Sequence, residues 1–447
     1  MTKIYLIAGE PSGDILGGRL ISALKDLAPS VPTFHGVGGD HMQAAGLQSL
    51  FPMHELSVMG LAEVVPQIPK ILRRVAETAA DIRATKPDVV VTIDAPDFCL
   101  RVAKKLKGAG IPIVHYVAPS VWAWRPGRAQ KLAGLCDHVM CLLPFEPPYF
   151  ERAGMRATFV GHSILESGAG NGDGPGFRQR HGIPADAPLL AVLPGSRMGE
   201  VSRHLPIFAD TLARVRADIV GPLHIVLPTL SRLKNTVQGA LDSQPTAWAN
   251  TRIIEGETEK YDAFAAANAA LAASGTVSLE LAMAGTPSLI AYKVAPLSAW
   301  LARRLLTIKY ASIVNLILNK SAMPEFIQEN CTADKLAPAL SDLLQNGGQD
   351  ADIKDALAKL RAGSWRNLSR QLSGEDRRHK RKRRAAEATR RFNRGRSRVL
   401  ALVDVYVFAL LGTGEQLTRT TDLLARILNH LVPLGDPANG TRHGKQS

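Results

Sequence analysis

The chain of 447 residues is too long for one small core and long enough for two domains of ordinary size. Apolar content of 46% and charged content of 21% exclude a chain that is disordered through its bulk. The formal charge of +14 is concentrated, because residues 376–398 hold twelve Lys and Arg against only Asp376 and Glu387; the body is mildly basic and unlike a nucleic-acid binder.

From residue 4 to about residue 162, short Val/Ile-rich runs (IYLIA, DVVVTI, IPIVHYV, HVMCLLP, ATFVG) alternate with helical patterns such as residues 15–27 and 68–85. That alternation predicts a parallel sheet flanked by helices. The glycine-rich interval SGAGNGDGPG, residues 167–176, reads as a linker or surface loop. A second alternating set follows: LLAVL, a helix over about 200–217, HIVLP, a helix after Ser231, TRIIEG, AALAAS, a helix to Ala284, and SLIAYKV. The fold class predicted is α/β, with two Rossmann-like doubly wound domains facing across a cleft and ligand bound where strand ends meet. The first domain is expected over 1–166, a linker over 167–187, the second domain over 188–345, terminal helices over 346–375 and a basic, atypical tail over 376–447.

Cys99, Cys136, Cys141 and Cys331 show no C-x-x-C pairing and no companion histidines at ligand spacing, which predicts a reduced, cytosolic protein without metal. The start of the chain runs straight into a strand pattern, unlike an export signal. The longest apolar runs, residues 399–412 and 311–318, are too short or too interrupted to span a bilayer, so membrane contact is expected to be peripheral.

Four strand ends concentrate chemistry. HYVAPSVWAWR, residues 115–125, holds two of the five tryptophans and makes Ser120, Trp122 and Arg125 candidates for binding an acceptor sugar; core tryptophans beside a surface arginine are the plainer alternative. GEPSGD, residues 9–14, is not the G-x-G-x-x-G fingerprint, and its carboxylates would repel a pyrophosphate. Glu10, Ser12 and Asp14 therefore suit sugar hydroxyls, with helix capping as the alternative for Ser12 and Asp14. IDAPDF places Asp94 and Asp97 just past a buried strand, in a spacing that is not the D-x-D of a metal-dependent nucleotide site. A single carboxylate acting as general base on a sugar hydroxyl is simpler, and spacing leaves both aspartates open.

In the second half, Gly195, Ser196 and Arg197 follow a strand and precede a helix, an arrangement suited to a diphosphate; a tight turn with a surface arginine also fits. Ser274, Gly275 and Thr276 form a small-residue turn before a helix whose first turn carries Glu280, suited to ribose hydroxyls or to the helix dipole alone. Residues 56–75 and 298–318 mix large apolar residues with clustered Lys and Arg, as interfacial helices do; core helices with basic outer faces are the alternative.

Taken in order, GEPSGDILG, IDAPDF, HYVAPSVWAWR, LPFE, FVGH, LPGSR, SGTVSLE and PEFIQE resemble lipid-A-disaccharide synthase from residue 4 to about 344. The resemblance implies a GT-B fold and an inverting, metal-independent glycosyltransferase that needs no cofactor. It would transfer 2,3-diacylglucosamine from its UDP derivative to the 6-hydroxyl of 2,3-diacylglucosamine 1-phosphate, giving lipid A disaccharide 1-phosphate and UDP. It implies Asp94 as general base, Arg197 on the diphosphate side, Ser274, Gly275, Thr276 and Glu280 as the nucleotide loop, and Asn315, an essential asparagine, among the nucleotide-binding residues. It also implies a cytoplasmic enzyme attached peripherally to the inner face of the inner membrane, and a homodimer.

Two departures accompany the match. Ser312, Ile313, Val314 and Asn315 stand where the family has S-L-P-N, and the chain continues through a dissimilar basic tail that is either an extension or a shifted reading frame. The competing readings are another GT-B transferase or an epimerase using UDP-N-acetylglucosamine, and a nucleic-acid-binding protein acting through the basic tail. The amphipathic basic stretches argue against the epimerase, and the polar strand ends of the body argue against the nucleic-acid reading.

Overall fold

The computed structural model describes residues 2–27, 30–56, 61–123, 127–306 and 308–372. Expectations for Arg125 and for the tail over 376–447 lie outside the described residues.

The first sheet contains β1 (Lys3–Ala8), β2 (Thr33–Val37), β3 (Gln48–Ser49), β4 (Val89–Ile93), β5 (Ile113–Tyr116), β6 (His138–Cys141) and β7 (Arg156–Phe159). They run parallel in the order β3-β2-β1-β4-β5-β6-β7. The second sheet contains β8 (Leu189–Leu193), β9 (His224–Pro228), β10 (Thr251–Ile254), β11 (Ala269–Ala272), β12 (Ser288–Tyr292) and β13 (Glu325–Ile327). They also run parallel, in the order β10-β9-β8-β11-β12-β13. The chain is thus an α/β protein of two doubly wound lobes, as its alternating pattern predicts.

Every residue of β4, β5, β8 and β11 is buried, which is why these strands read as continuous apolar runs. Successive residues feed different cores: Val90 packs with Phe98, Cys99 and Val102, whereas Val91 packs with Leu6, Leu20 and Val114. The second sheet divides likewise, Leu190 to one face and Ala191 to the other.

One of these cores crosses between the lobes. Leu143 and Phe159 of the first lobe lie in the same buried cluster as Phe177, Leu189 and Ile353, Ala356, Leu357 and Leu360 of the last helix, Asp350–Leu372. That helix therefore fastens the end of the described chain to both lobes.

The glycine-rich interval is packed rather than loose. A side chain at Gly172 would stand 2.2 Å from the carbonyl oxygen of Tyr261, and the Asp173 amide donates to Asp262 Oδ1 at 2.7 Å. The glycines let this strap lie backbone-to-backbone against helix Glu257–Ala266.

Strand order reverses at equivalent points in the two sheets, beside β1 and β4 in one and beside β8 and β11 in the other. The registers Ala8 to Ile93 and Leu193 to Ala272 bring the following loops out side by side. Such switch points are where open α/β sheets bind ligands.

Candidate active site

At the first switch point, the β1 loop and the β4 loop meet through Ser12, whose hydroxyl donates to Asp94 Oδ2 at 3.3 Å. Asp94 is half-buried, and its amide donates to Tyr116 O at 2.9 Å. Asp94 and Ala95 both hold left-handed backbone, with φ of 50° and 41°, and Val117 on the next strand end has φ of 75°. Non-glycine residues rarely adopt these angles, and such strain gathers at sites that need a fixed geometry. Asp97 is exposed in the first turn of helix Pro96–Leu106, so the structure separates the two aspartates that spacing alone does not. Burial, and then the charge of Asp94, push the Glu10 carboxyl above its usual range.

Asp14 has a different task from the sugar contact expected of it. It is 3% exposed, and its carboxylate accepts the amides of Gly39, His41 and Met42 at 2.8–3.0 Å, fixing the start of helix Asp40–Ala44. Trp122 is likewise committed, its indole donating to Glu146 Oε1 at 3.0 Å and its ring standing edge-on to Phe145. Both rings pack on the core shared by the lobes, so Trp122 belongs to their junction rather than to an acceptor pocket. Glu146 also accepts the amides of Leu142 and Leu143, and burial pushes its carboxyl up to about 7 against the pull of these donors. Ser120 remains exposed beside this segment.

The second switch point opens into a cleft of about 520 Å³. Gly195, Ser196, Arg197, Ser274, Gly275, Thr276 and Glu280, far apart in the chain, all line it. Gly195 has φ of 126°, and a side chain there would meet Glu200 at 2.7 Å, so the turn requires glycine. Glu280 Oε1 accepts from Lys260 Nζ at 3.0 Å and from Tyr261 OH at 3.4 Å, on the cleft wall. Ser274 donates to Ala311 O at 2.8 Å, and Thr276 beside it is exposed to the cleft.

Asn315 does not line this cleft. It is fully buried; its amide nitrogen donates to Met323 O and Glu325 Oε1, and its oxygen accepts the amides of Ala322 and Met323, all at 2.7–2.8 Å. Glu325 in turn accepts the amides of Ala311 and Ser312 at 2.8 Å. The expected nucleotide ligand is therefore a clamp that holds the loop supporting Ser274, and an amide with every bond made has none left for substrate.

Several site residues escape the sequence reading. Glu200, Lys260 and Tyr292 line the cleft, and Arg232 donates to Ser196 O at 2.9 Å. Only Glu200 carries a local signal, standing at the third helical position after Arg197 in the spacing of a capping box. Among the described residues no group of three His, Cys, Asp or Glu could hold a metal ion, and all four cysteines are buried and free.

Two parallel lobes whose switch points carry a carboxylate and a glycine–arginine turn define the GT-B class. A UDP-bound structure of Staphylococcus aureus MnaA has the same fold, with a TM-score of 0.55 at 14% identity over 83% of this chain and 97% of that one. The family model of lipid-A-disaccharide synthetase matches residues 4–374, and the chain belongs to that family. Lipid-A-disaccharide synthase of Rhodospirillum centenum is 52% identical over 76% of this chain and 84% of its own. The synthase of Paramagnetospirillum magneticum is 49% identical over 80% and 93%. The protein is accordingly a glycosyltransferase of lipid A biosynthesis.

Proposed function

We propose that the enzyme joins UDP-2,3-diacylglucosamine to 2,3-diacylglucosamine 1-phosphate, forming lipid A disaccharide 1-phosphate and UDP. The observation that carries this reading is the opposite chemistry of the two switch points, a hydrogen-bonded carboxylate at Asp94 and an anion-binding turn at Gly195, Ser196 and Arg197. Asp94 takes the proton of the acceptor 6-hydroxyl as that oxygen attacks the anomeric carbon. The bond from that carbon to the diphosphate oxygen breaks, the electron pair leaves with UDP, and attack from the opposite face inverts the centre. Arg197 and the amides at the helix start hold the charge that develops on the diphosphate. Glu280 accepts the ribose hydroxyls, with Lys260 fixing its orientation.

The acyl chains call for a membrane-facing surface. Ile68 and Leu72, 44% and 45% exposed, lie one helical turn apart on helix Leu61–Thr85, and Trp300 is 51% exposed with Arg304 stacked on its ring at 4.2 Å. No helix among the described residues is long and apolar enough to cross a bilayer. These surfaces support peripheral attachment to the inner face of the inner membrane. The first lobe over 1–166 receives the acceptor, the second over 188–345 the UDP-sugar, and the working form is a homodimer, which sedimentation would test.

The decisive assay follows disaccharide formation in detergent micelles from the two diacylated substrates, with and without EDTA. The reading expects product in both arms. A protein that binds UDP yet makes no disaccharide, or that acts equally on a deacylated acceptor, would point to a different GT-B reaction.

A further inference from the structure

The donors of the anion-binding turn are already engaged. Glu200 Oε1 accepts from Arg197 Nη1 at 2.9 Å and from the Tyr292 hydroxyl at 3.1 Å, and its Oε2 accepts the Ser196 amide at 3.2 Å. An amide, a guanidinium and a phenol converging on two oxygens is the donor set that a phosphate group would take. Burial would raise this carboxyl, but the bonds from Arg197, Tyr292 and Ser196 outweigh it and hold it below the usual carboxylate range, so it carries a full negative charge at neutral pH. A glutamate at the third helical position reaching back to a backbone amide is an ordinary helix cap. Here the same carboxylate also takes two side-chain donors on the wall of the cleft, while the Arg197 side chain is 78% exposed to the solvent from which a ligand would come.

We propose that Glu200 is a built-in competitor for the diphosphate of the nucleotide sugar: its carboxylate occupies the Ser196–Arg197 donors in the empty site and yields them when the substrate's phosphates arrive. The inference rests on the placement of the diphosphate at this turn. Its consequence is nucleotide affinity below what the donors alone would give, and a carboxylate ready to reclaim them as UDP leaves. Competition between one carboxylate and one diphosphate for the same charged donor lowers affinity by about tenfold, equivalent to about 1.4 kcal/mol.

The test is calorimetric titration of the full chain with UDP and, separately, with uridine, for the wild type, Glu200→Gln, Glu200→Ala and Arg197→Ala, with circular dichroism showing that each variant is folded. Glu200→Gln keeps the shape and removes the charge. The expected result is a Kd for UDP about tenfold lower in Glu200→Gln and a Kd for uridine that does not change, because only the phosphates compete. Glu200→Ala reports the same direction without the amide. Unchanged or weaker UDP binding in both Glu200 variants, with Arg197→Ala still weakened, would overturn the competitor and make Glu200 a support for Arg197. UDP binding indifferent to Arg197→Ala would overturn the placement of the diphosphate and the competitor with it.

Discussion

The two lobes share one topology and differ in what their switch points present. In the first lobe the loops after β1 and β4 meet through Ser12 and Asp94 on left-handed backbone, with Glu10 adding a second carboxylate. The second lobe offers a defined cleft, glycine turns, and Arg197 and Lys260 paired with carboxylates. Under the proposed function the first would take a proton and the second would receive negative charge, the two needs of a transfer from a diphosphate to a hydroxyl. Topology sets where the polar loops emerge, and the residues on two short loops set what each lobe presents there.

The largest expected effect breaks the first lobe alone. Asp94→Asn should lower kcat about a thousandfold, within the range of a lost general base, while the KM for the UDP-sugar stays near the wild-type value. A comparable rise in KM would mean that Asp94 binds substrate instead.

Next comes the clamp in the second lobe. Asn315→Ala removes four buried hydrogen bonds and leaves Glu325 short of a donor, at a cost of about 3 kcal/mol. Chemical denaturation should show that loss with Asp94 chemistry intact in the remaining folded protein. An unchanged midpoint would restore Asn315 to the ligand side.

The smallest effect is a pH dependence read in the first lobe. Burial holds His115 and His162 down to about 4 and His138 to about 3, from an ordinary value of 6.5. The unfolded chain then binds more protons than the folded one, so these residues give stability that is present above pH 6.5 and is lost as pH falls toward 4. Hydrogen exchange of β5 and β6 amides, corrected for intrinsic rates, should show more frequent opening at pH 5 than at pH 7. Equal protection at both would contradict neutral, buried imidazoles.

Much of this was legible from pattern because long buried strands followed by small-residue turns are local signals. LLAVLPGSR and AALAASGT announce β8, β11 and the cleft they open. The strands that escaped are short or interrupted: β2 contains Gly36, β3 has two residues and β13 three. The expected linker is a packed strap because Gly172 answers to Tyr261, eighty-nine residues away in the chain, and sequence cannot show that approach. A ligand role for Asp14 and Trp122 follows from residue type alone and for Asn315 from the resemblance, and helix capping for Asp14 and core packing for Trp122 stand beside it in the sequence. Their partners, at Gly39, Glu146 and Glu325, come from other elements, and only the fold shows that these polar groups are already satisfied.

The division of labour between the lobes is tested most directly by measuring UDP affinity and disaccharide formation on the same samples of wild type, Asp94→Ala and Arg197→Ala. The account predicts that Asp94→Ala binds UDP like the wild type and makes almost no product, whereas Arg197→Ala loses at least tenfold in UDP affinity. Loss of UDP binding in Asp94→Ala, or its full retention in Arg197→Ala, would contradict it.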